Sequence, residues 1–291
     1  MKSKNIESGL YVMWKEIKHD KLALMGLFLF ISIVITVYIW AFLIDEQQAN
    51  RMNLFAMNQP PGNTYLLGTD PLGRDMVQQL VLAARNSLNI SFIVTIGGAS
   101  IGILLGLIMG YYAGHIDNIM MRIIAVWTMI PGLMLIILFR TILNVNSVYR
   151  FSWLMIIVGG WLTMTGLIRV MSLRQGRLDY VSASKTLGTP NIVIMVREVL
   201  PNLMSILTSG LTLVLASNMA LETGLSFLGL GLPPGTPSLG GLLAHANSST
   251  VMQQRPWLWL PAAILIFILM LCINFVGQAL NRAADAKKRR A

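Results

Sequence analysis

The chain has 291 residues, 55% of them hydrophobic and only 12% charged, with a mean hydropathy of +0.66 and a formal net charge of +10. That composition lies outside the range of soluble domains and marks an integral membrane protein. The basic residues gather at the ends of apolar segments instead of alternating with exposed aromatics, which argues against nucleic acid and for a polybasic membrane face; the lone Cys272, in an apolar run, excludes an internal disulfide framework and a thiolate metal cluster.

Residues 1–21 are not expected to act as a signal peptide, because the apolar run that follows is too long and has no small-residue cleavage site. Leu10, Trp14 and Ile17, with Tyr11 beside them, form an apolar stripe, with Lys15 and Lys18 on other faces. This predicts an interfacial helix lying on the cytoplasmic surface, with an ordinary polar tail as the alternative. Leu22 to Ile44 is uncharged and long enough to cross a hydrocarbon core that needs about 20 residues. The same criterion predicts spans near 87–112, 118–142, 151–171, 203–226 and 256–280, making six in all. The expected fold is therefore an all-α integral membrane protein, with a six-helix transmembrane domain over 22–280 and a basic cytoplasmic tail over 281–291. With the N-terminus inside, sixteen Lys and Arg fall in cytoplasmic segments and six outside. The split predicts cytoplasmic termini, a cytoplasmic loop at 172–202 and external loops at 45–86 and 227–255.

In the first external loop, LGTDPLGRD at 67–75 has Gly68 and Gly73 to permit turns, and Asp70, Arg74 and Asp75 close enough for a local charge network. Two readings stay open there: contact with a docked substrate-delivery protein, or a loop that satisfies itself. In the second span Gly98, Gly102, Gly106 and Gly110, continued by Gly114, recur every four residues. Such a row on one helix face predicts a packing seam where another backbone approaches closely. Pro131 predicts a kink in the third span. Glu222 is the only acid well inside the predicted spans, so it either lines a pathway or makes a structural hydrogen bond or snorkels to the interface. GLPPGTPSLGG, after the fifth span, is expected to be an external re-entrant loop or turn.

The longest polar interruption is DYVSASKTLGTPNIVIMVREVLPN at 179–202. Asp179 is expected to cap a helix ending at Leu187, with Gly188 in the left-handed position beyond it. Thr189 is expected to cap a second helix, with Pro190 at its first position and Pro201 as its stop. Small Ala183 and Ser184 would admit a close partner surface, while Val181 and Leu187 would enter apolar hollows, so this is a docking element. The sequence has no G-x-x-x-x-G-K-[ST] phosphate loop and no H-E-x-x-H. His19, His115 and His245 have no metal-ligand spacing, and the nineteen methionines are scattered through apolar spans as gap fillers.

YVSASKTLG followed by LPN resembles the cytoplasmic EAA loop of ABC-importer permeases, although Ser182-Ala183-Ser184 stands where that family has Glu-Ala-Ala or Gln-Ala-Ala. LGTDPLGRD and GLSFLGLGLPPGTPSLG are similar to the oligopeptide, dipeptide and nickel permeases of the C type, with Leu239 where those often have Trp. The resemblance runs from about residue 20 to about 280. It implies the type I importer permease architecture (MetI-like) and a chain that lines half of a peptide pathway in the bacterial cytoplasmic membrane. It also implies a second, homologous permease, two cytoplasmic ATPases that hold ATP and Mg, and an extracytoplasmic substrate-binding protein. This chain would hold no cofactor and would not itself be an enzyme. Val181, Ser182, Ala183, Ser184, Leu187, Gly188 and Pro201 would couple to the ATPases. Nickel or metal-chelate import is the alternative within the family. From other classes, an ion-driven secondary transporter would require paired midplane charges, broken helices in matching positions and internal repeats, none of which the sequence displays. A non-transporting scaffold would not need the Pro- and Gly-rich external loops.

Overall fold

The structure is a computed structural model that describes residues 20–233 and 235–290, the side chains of 283–290 excepted. The predicted interfacial helix lies outside the described residues apart from its last two positions. Asp20 caps α1 (Lys21–Leu43), its Oδ1 accepting from the Leu22 and Ala23 amides at 3.0 and 3.2 Å. After a loop, Asp75 caps α2 (Met76–Tyr112), a 37-residue helix that starts well before residue 87 because MVQQLVLAARN continues the helical pattern on polar ground. The third span is α3 (Gly114–Thr128) and α4 (Gly132–Ile142), bent by 73° at the Pro131 break. Proline has no amide hydrogen and disfavours helical geometry in the residue before it, so the chain turns there.

The fourth span is also bent, which the sequence reading did not foresee. Helix α5 (Val148–Met155) runs into a widened π-helical turn over Ile156–Gly160, and α6 (Leu162–Gln175) leaves it at 43°. The indole Nε1 of Trp127, in α3, donates to the Val158 carbonyl at 2.7 Å, so the two bends are joined. A short helix, α7 (Asp179–Thr186), then turns into α8 (Asn191–Ile194), which continues through a second widened turn, Met195–Val199, into α9 (Leu200–Phe227). Pro201 therefore does not stop the helix, which is continuous over Asn191–Phe227. Its ring lies just after the widened turn, where the regular hydrogen-bond ladder is already interrupted and the missing amide costs little. After α10 (Leu239–Leu243), the last span is α11 (Leu260–Arg290). Four helices are long and apolar enough to cross a membrane singly, and the two bent pairs bring the spans to six, with no strand among the described residues.

Helix α2 is the axis of the bundle. Its glycine row lies directly on the backbone of α6: a Cβ at Gly102 would sit 2.7 Å from the Trp161 carbonyl, at Gly106 2.8 Å from that of Thr165, and at Gly110 2.7 Å from that of Arg169. Gly98 meets Gly160 closer still. Gly114 is not part of the row. The helix ends at Tyr112, Ala113 and Gly114 have positive φ, and nothing lies within 4 Å of a Cβ built at Gly114. On another side of α2, Val37, Leu88, Met219, Leu269 and Ile273 bring α1, α9 and α11 together in one core.

Candidate functional site

Two ends of the bundle carry polar structure: a hairpin end around 176–198 and a loop end built from 45–75 and 228–255. At the hairpin end Gly188 has φ +80, and the amides of Leu187, Gly188 and Thr189 close the turn onto the Ala183, Lys185 and Ser184 carbonyls at 3.0, 3.0 and 3.1 Å. Two caps differ from expectation. Leu178 precedes the first residue of α7, so Asp179 lies in the first turn, where a carboxylate suits the helix dipole, and Pro190 takes the cap position expected for Thr189.

The hairpin is tied down on one side and open on the other. Val181 is fully buried, packed with Tyr111, Met164, Ile168, Ile194 and Val199. It is thus the hairpin's own anchor and not a plug for a partner's hollow. The Ser184 hydroxyl lies 2.7 Å from both carboxylate oxygens of Glu198, bonding α7 to the returning helix. The Tyr111 hydroxyl donates to Asn191 Oδ1 at 2.8 Å, and Lys185 Nζ sits 4.6 Å from the Tyr111 ring centroid. Ser182, Ala183, Gly188 and Pro201 are exposed, and Leu187 stands out at the tip with 84% of its surface free. Ile192 and Val196, four residues apart on the returning helix, are also exposed. Their spacing of four is the one signal of this face in the sequence.

Close to the hairpin, Arg169 of α6 grips Asp117 of α3 through two parallel bonds, Nη2 to Oδ2 at 2.6 Å and Nε to Oδ1. Asp117 is buried. A paired fork of this kind is the geometry in which a guanidinium holds a carboxylate most firmly. Asp117 stands just outside the span predicted at 118–142.

At the loop end, Arg74 Nε bonds Asp70 Oδ2 at 2.6 Å, and Asp70 Oδ1 accepts the Leu72 and Arg74 amides at 2.8 Å each. Gly68 and Gly73, at φ +70 and +76, turn the chain around this carboxylate. Asp75 takes no part in the ion pair; it caps α2 through the Val77 amide at 2.7 Å. Asp70 is buried, so the loop largely satisfies itself. Glu222 is fully buried: its Oε1 accepts from the Ser226 hydroxyl at 2.8 Å, and its Oε2 has no partner among the described residues. The Pro- and Gly-rich segment folds back onto the bundle: the Leu239 amide donates to Ser87 Oγ at 3.1 Å, Asn86 Nδ2 donates to the Pro237 carbonyl at 2.8 Å, and Gly240 presses on the Thr223 carbonyl. Among the described residues no cluster of His, Cys, Asp and Glu could hold a metal ion.

The hairpin end therefore presents an exposed apolar tip on an anchored turn, and the loop end a network of hydrogen bonds, among the described residues. Residues 102–290 match the family described as binding-protein-dependent transport system inner membrane component. The chain is 42% identical to the oligopeptide transport system permease protein OppC of Lactococcus lactis subsp. lactis (strain IL1403), covering 99% of this chain and 98% of that protein. It is 35% identical to the inner membrane ABC transporter permease protein YejE of Escherichia coli (strain K12), over 80% of this chain and 68% of that protein. It is also 32% identical to the dipeptide transport system permease protein DppC of Bacillus subtilis (strain 168), over 95% and 85%.

Proposed function

We infer the function from one premise: the chain belongs to the family of binding-protein-dependent transport system inner membrane components. It is a multi-pass permease component, and its role on this reading is to translocate peptides as a subunit of an ATP-driven ABC importer. The observation that carries the reading is identity of 42% over nearly the whole length to a protein named for oligopeptide transport, with a dipeptide permease also among the relatives.

The partners follow from that role. A second, homologous permease completes the pathway, two ATPases bind ATP and Mg on the cytoplasmic side, and a substrate-binding protein delivers peptide from outside. The Lys and Arg distribution supports cytoplasmic termini and a cytoplasmic hairpin, which makes the loop end external. The exposed rim of Leu187, Ile192 and Val196 suits docking on the ATPases, and closure of the ATPases then moves the hairpin against the bundle. Reconstitution in proteoliposomes tests this. ATP-dependent peptide uptake is expected only from the complete assembly, and ion-driven accumulation by this chain alone, without ATP, would overturn the reading.

A further inference from the structure

The loop end contains a cavity of about 510 Å³, within the size range of small-molecule sites, beneath the 226–245 segment. Its polar lining includes Arg74, Gln79, Arg140, Ser226, Thr236 and His245. Arg74 is already paired with Asp70. Arg140, in the last turn of α4, is not: its one hydrogen bond among the described residues runs from Nη2 to the Leu232 carbonyl at 3.5 Å, the limit of a useful contact. Its Nε is buried with no partner. Gln79 is the second unsatisfied group. Its Nε2 donates to the Ala49 carbonyl at 2.9 Å and to Asn50 Oδ1 at 3.3 Å, which fixes the amide's orientation, and its Oε1 is buried without a donor. His245 is partly buried, and that burial pushes its pKa down, so near neutral pH it adds no charge.

Buried polar groups are almost always paired, so a donor and an acceptor left without partners on residues that line one cavity call for an occupant that supplies the complement. A guanidinium whose Nε lacks an acceptor is shaped for a planar carboxylate, and an amide oxygen that lacks a donor takes an N–H. A peptide offers both within one residue at its C-terminus. We propose that this cavity is an entry subsite that receives the free C-terminal carboxylate of a peptide on Arg140, with Gln79 Oε1 accepting a main-chain N–H. The subsite rests on the peptide-import reading and deepens it, because it makes the permease, and not only the binding protein, a reader of the peptide's end. No side chain of the peptide is involved, so the subsite suits cargo of varied sequence.

The test compares uptake of trialanine with uptake of its C-terminal amide by the complete reconstituted importer, carrying wild-type chain, Arg140→Gln or Arg140→Lys. The binding protein's own preference between the two peptides is common to all three complexes and cancels when their acid-to-amide ratios are compared. The ratio is expected to fall about tenfold in Arg140→Gln, as loss of a charge-assisted bond dictates, and by less in Arg140→Lys, which keeps the charge and loses the fork. If neither variant assembles, the wild-type complex is given trialanine extended by a C-terminal photoreactive residue. Crosslinks are then expected on α4 near Arg140 or within 226–245, and crosslinks confined elsewhere would overturn the subsite. An unchanged ratio in well-assembled Arg140→Gln would also overturn it, as would weaker docking of the binding protein with the ratio intact, which would make the cavity a protein contact. If the wild-type complex takes up neither peptide on ATP, the importer reading fails and takes this inference with it. Robust uptake with an unchanged ratio fails the subsite alone.

Discussion

Helices α1 and α2 are both long, apolar and uncharged through their membrane-crossing stretches, yet 17% of the most apolar stretch of α1 is buried and 44% of that of α2. Large side chains account for the difference on one helix and missing ones on the other. Met25, Phe28, Ile35 and Ile39 of α1 stand exposed, as suits a lipid-facing helix, and its contact with the bundle runs through Ala23, Gly26, Val37 and Ala41. On α2 the glycine row removes a whole column of side chains, so that α6 lies on bare backbone. In lipid, apolarity does not drive helices together, since the tails are as apolar as leucine. Shape does. Hydropathy therefore locates both helices in the membrane, and only the distribution of small residues tells which one is central.

The sharpest way to break this comparison is to fill the seam. Gly106→Leu must push against the Thr165 carbonyl and the Arg169 amide, 2.8 and 2.9 Å from a Cβ at that position, and backbone cannot step aside as a side-chain tip can. The expected outcome is little or no assembled complex on gel filtration. Gly106→Ala should lose about 1–3 kcal/mol in a denaturation assay, the usual range for overpacking. Leu104, 60% exposed on the same helix, should tolerate alanine, and equal recovery of Gly106→Leu and Leu104→Ala would place the seam elsewhere.

Next in size is Arg169→Ala. Removing the guanidinium leaves the Asp117 carboxylate buried and uncompensated, which typically costs about 3–5 kcal/mol. Pairing Asp117→Asn with Arg169→Gln should recover part of that loss, and a single variant as stable as wild type would show that the fork contributes nothing. Gly188→Val should act on coupling more than on stability. A β-branched residue at φ +80 costs about 1–2 kcal/mol locally, and the redrawn turn should lower peptide uptake together with the ATP hydrolysis stimulated by loaded binding protein. Stimulated hydrolysis that stays at the wild-type level while uptake is lost would remove the hairpin from the coupling route. The smallest change belongs to α1. Phe28→Ala, at a side chain 75% exposed, should shift stability by under about 0.5 kcal/mol, and a loss as large as that of Gly106→Ala would dissolve the distinction between the two helices.

Six spans and the glycine row were legible because both answer to local rules: a hydrocarbon core demands about 20 apolar residues, and a period of four places glycines on one face. The left-handed turn at Gly188 was legible for the same reason. What escaped depends on partners distant in the chain. Val181 looks like a free apolar knob until Tyr111 and Ile168 are placed around it. Ser184 reads as only a small residue until Glu198 returns beside it, and the Asp117–Arg169 fork joins residues on different spans. The widened turns at 156–160 and 195–199 escaped because no single residue type announces them; Gly159 and Gly160 permit the first, and Pro201 is accommodated by the second. The open groups of the loop-end cavity could not be read at all, since an unpaired Arg140 is defined by what fails to approach it.

The bond from Trp127 to the Val158 carbonyl has a mechanical consequence. A widened turn departs from the regular hydrogen-bond ladder, and the indole supplies a donor to it from a neighbouring span that is itself broken four residues later, at Pro131. Two bends that would otherwise be separate joints share one pivot. Rotation of α3 must either carry the π-helical turn with it or break this bond. The pair thus behaves as a linkage with fewer freedoms than its parts, in which travel at one elbow sets the angle of the other.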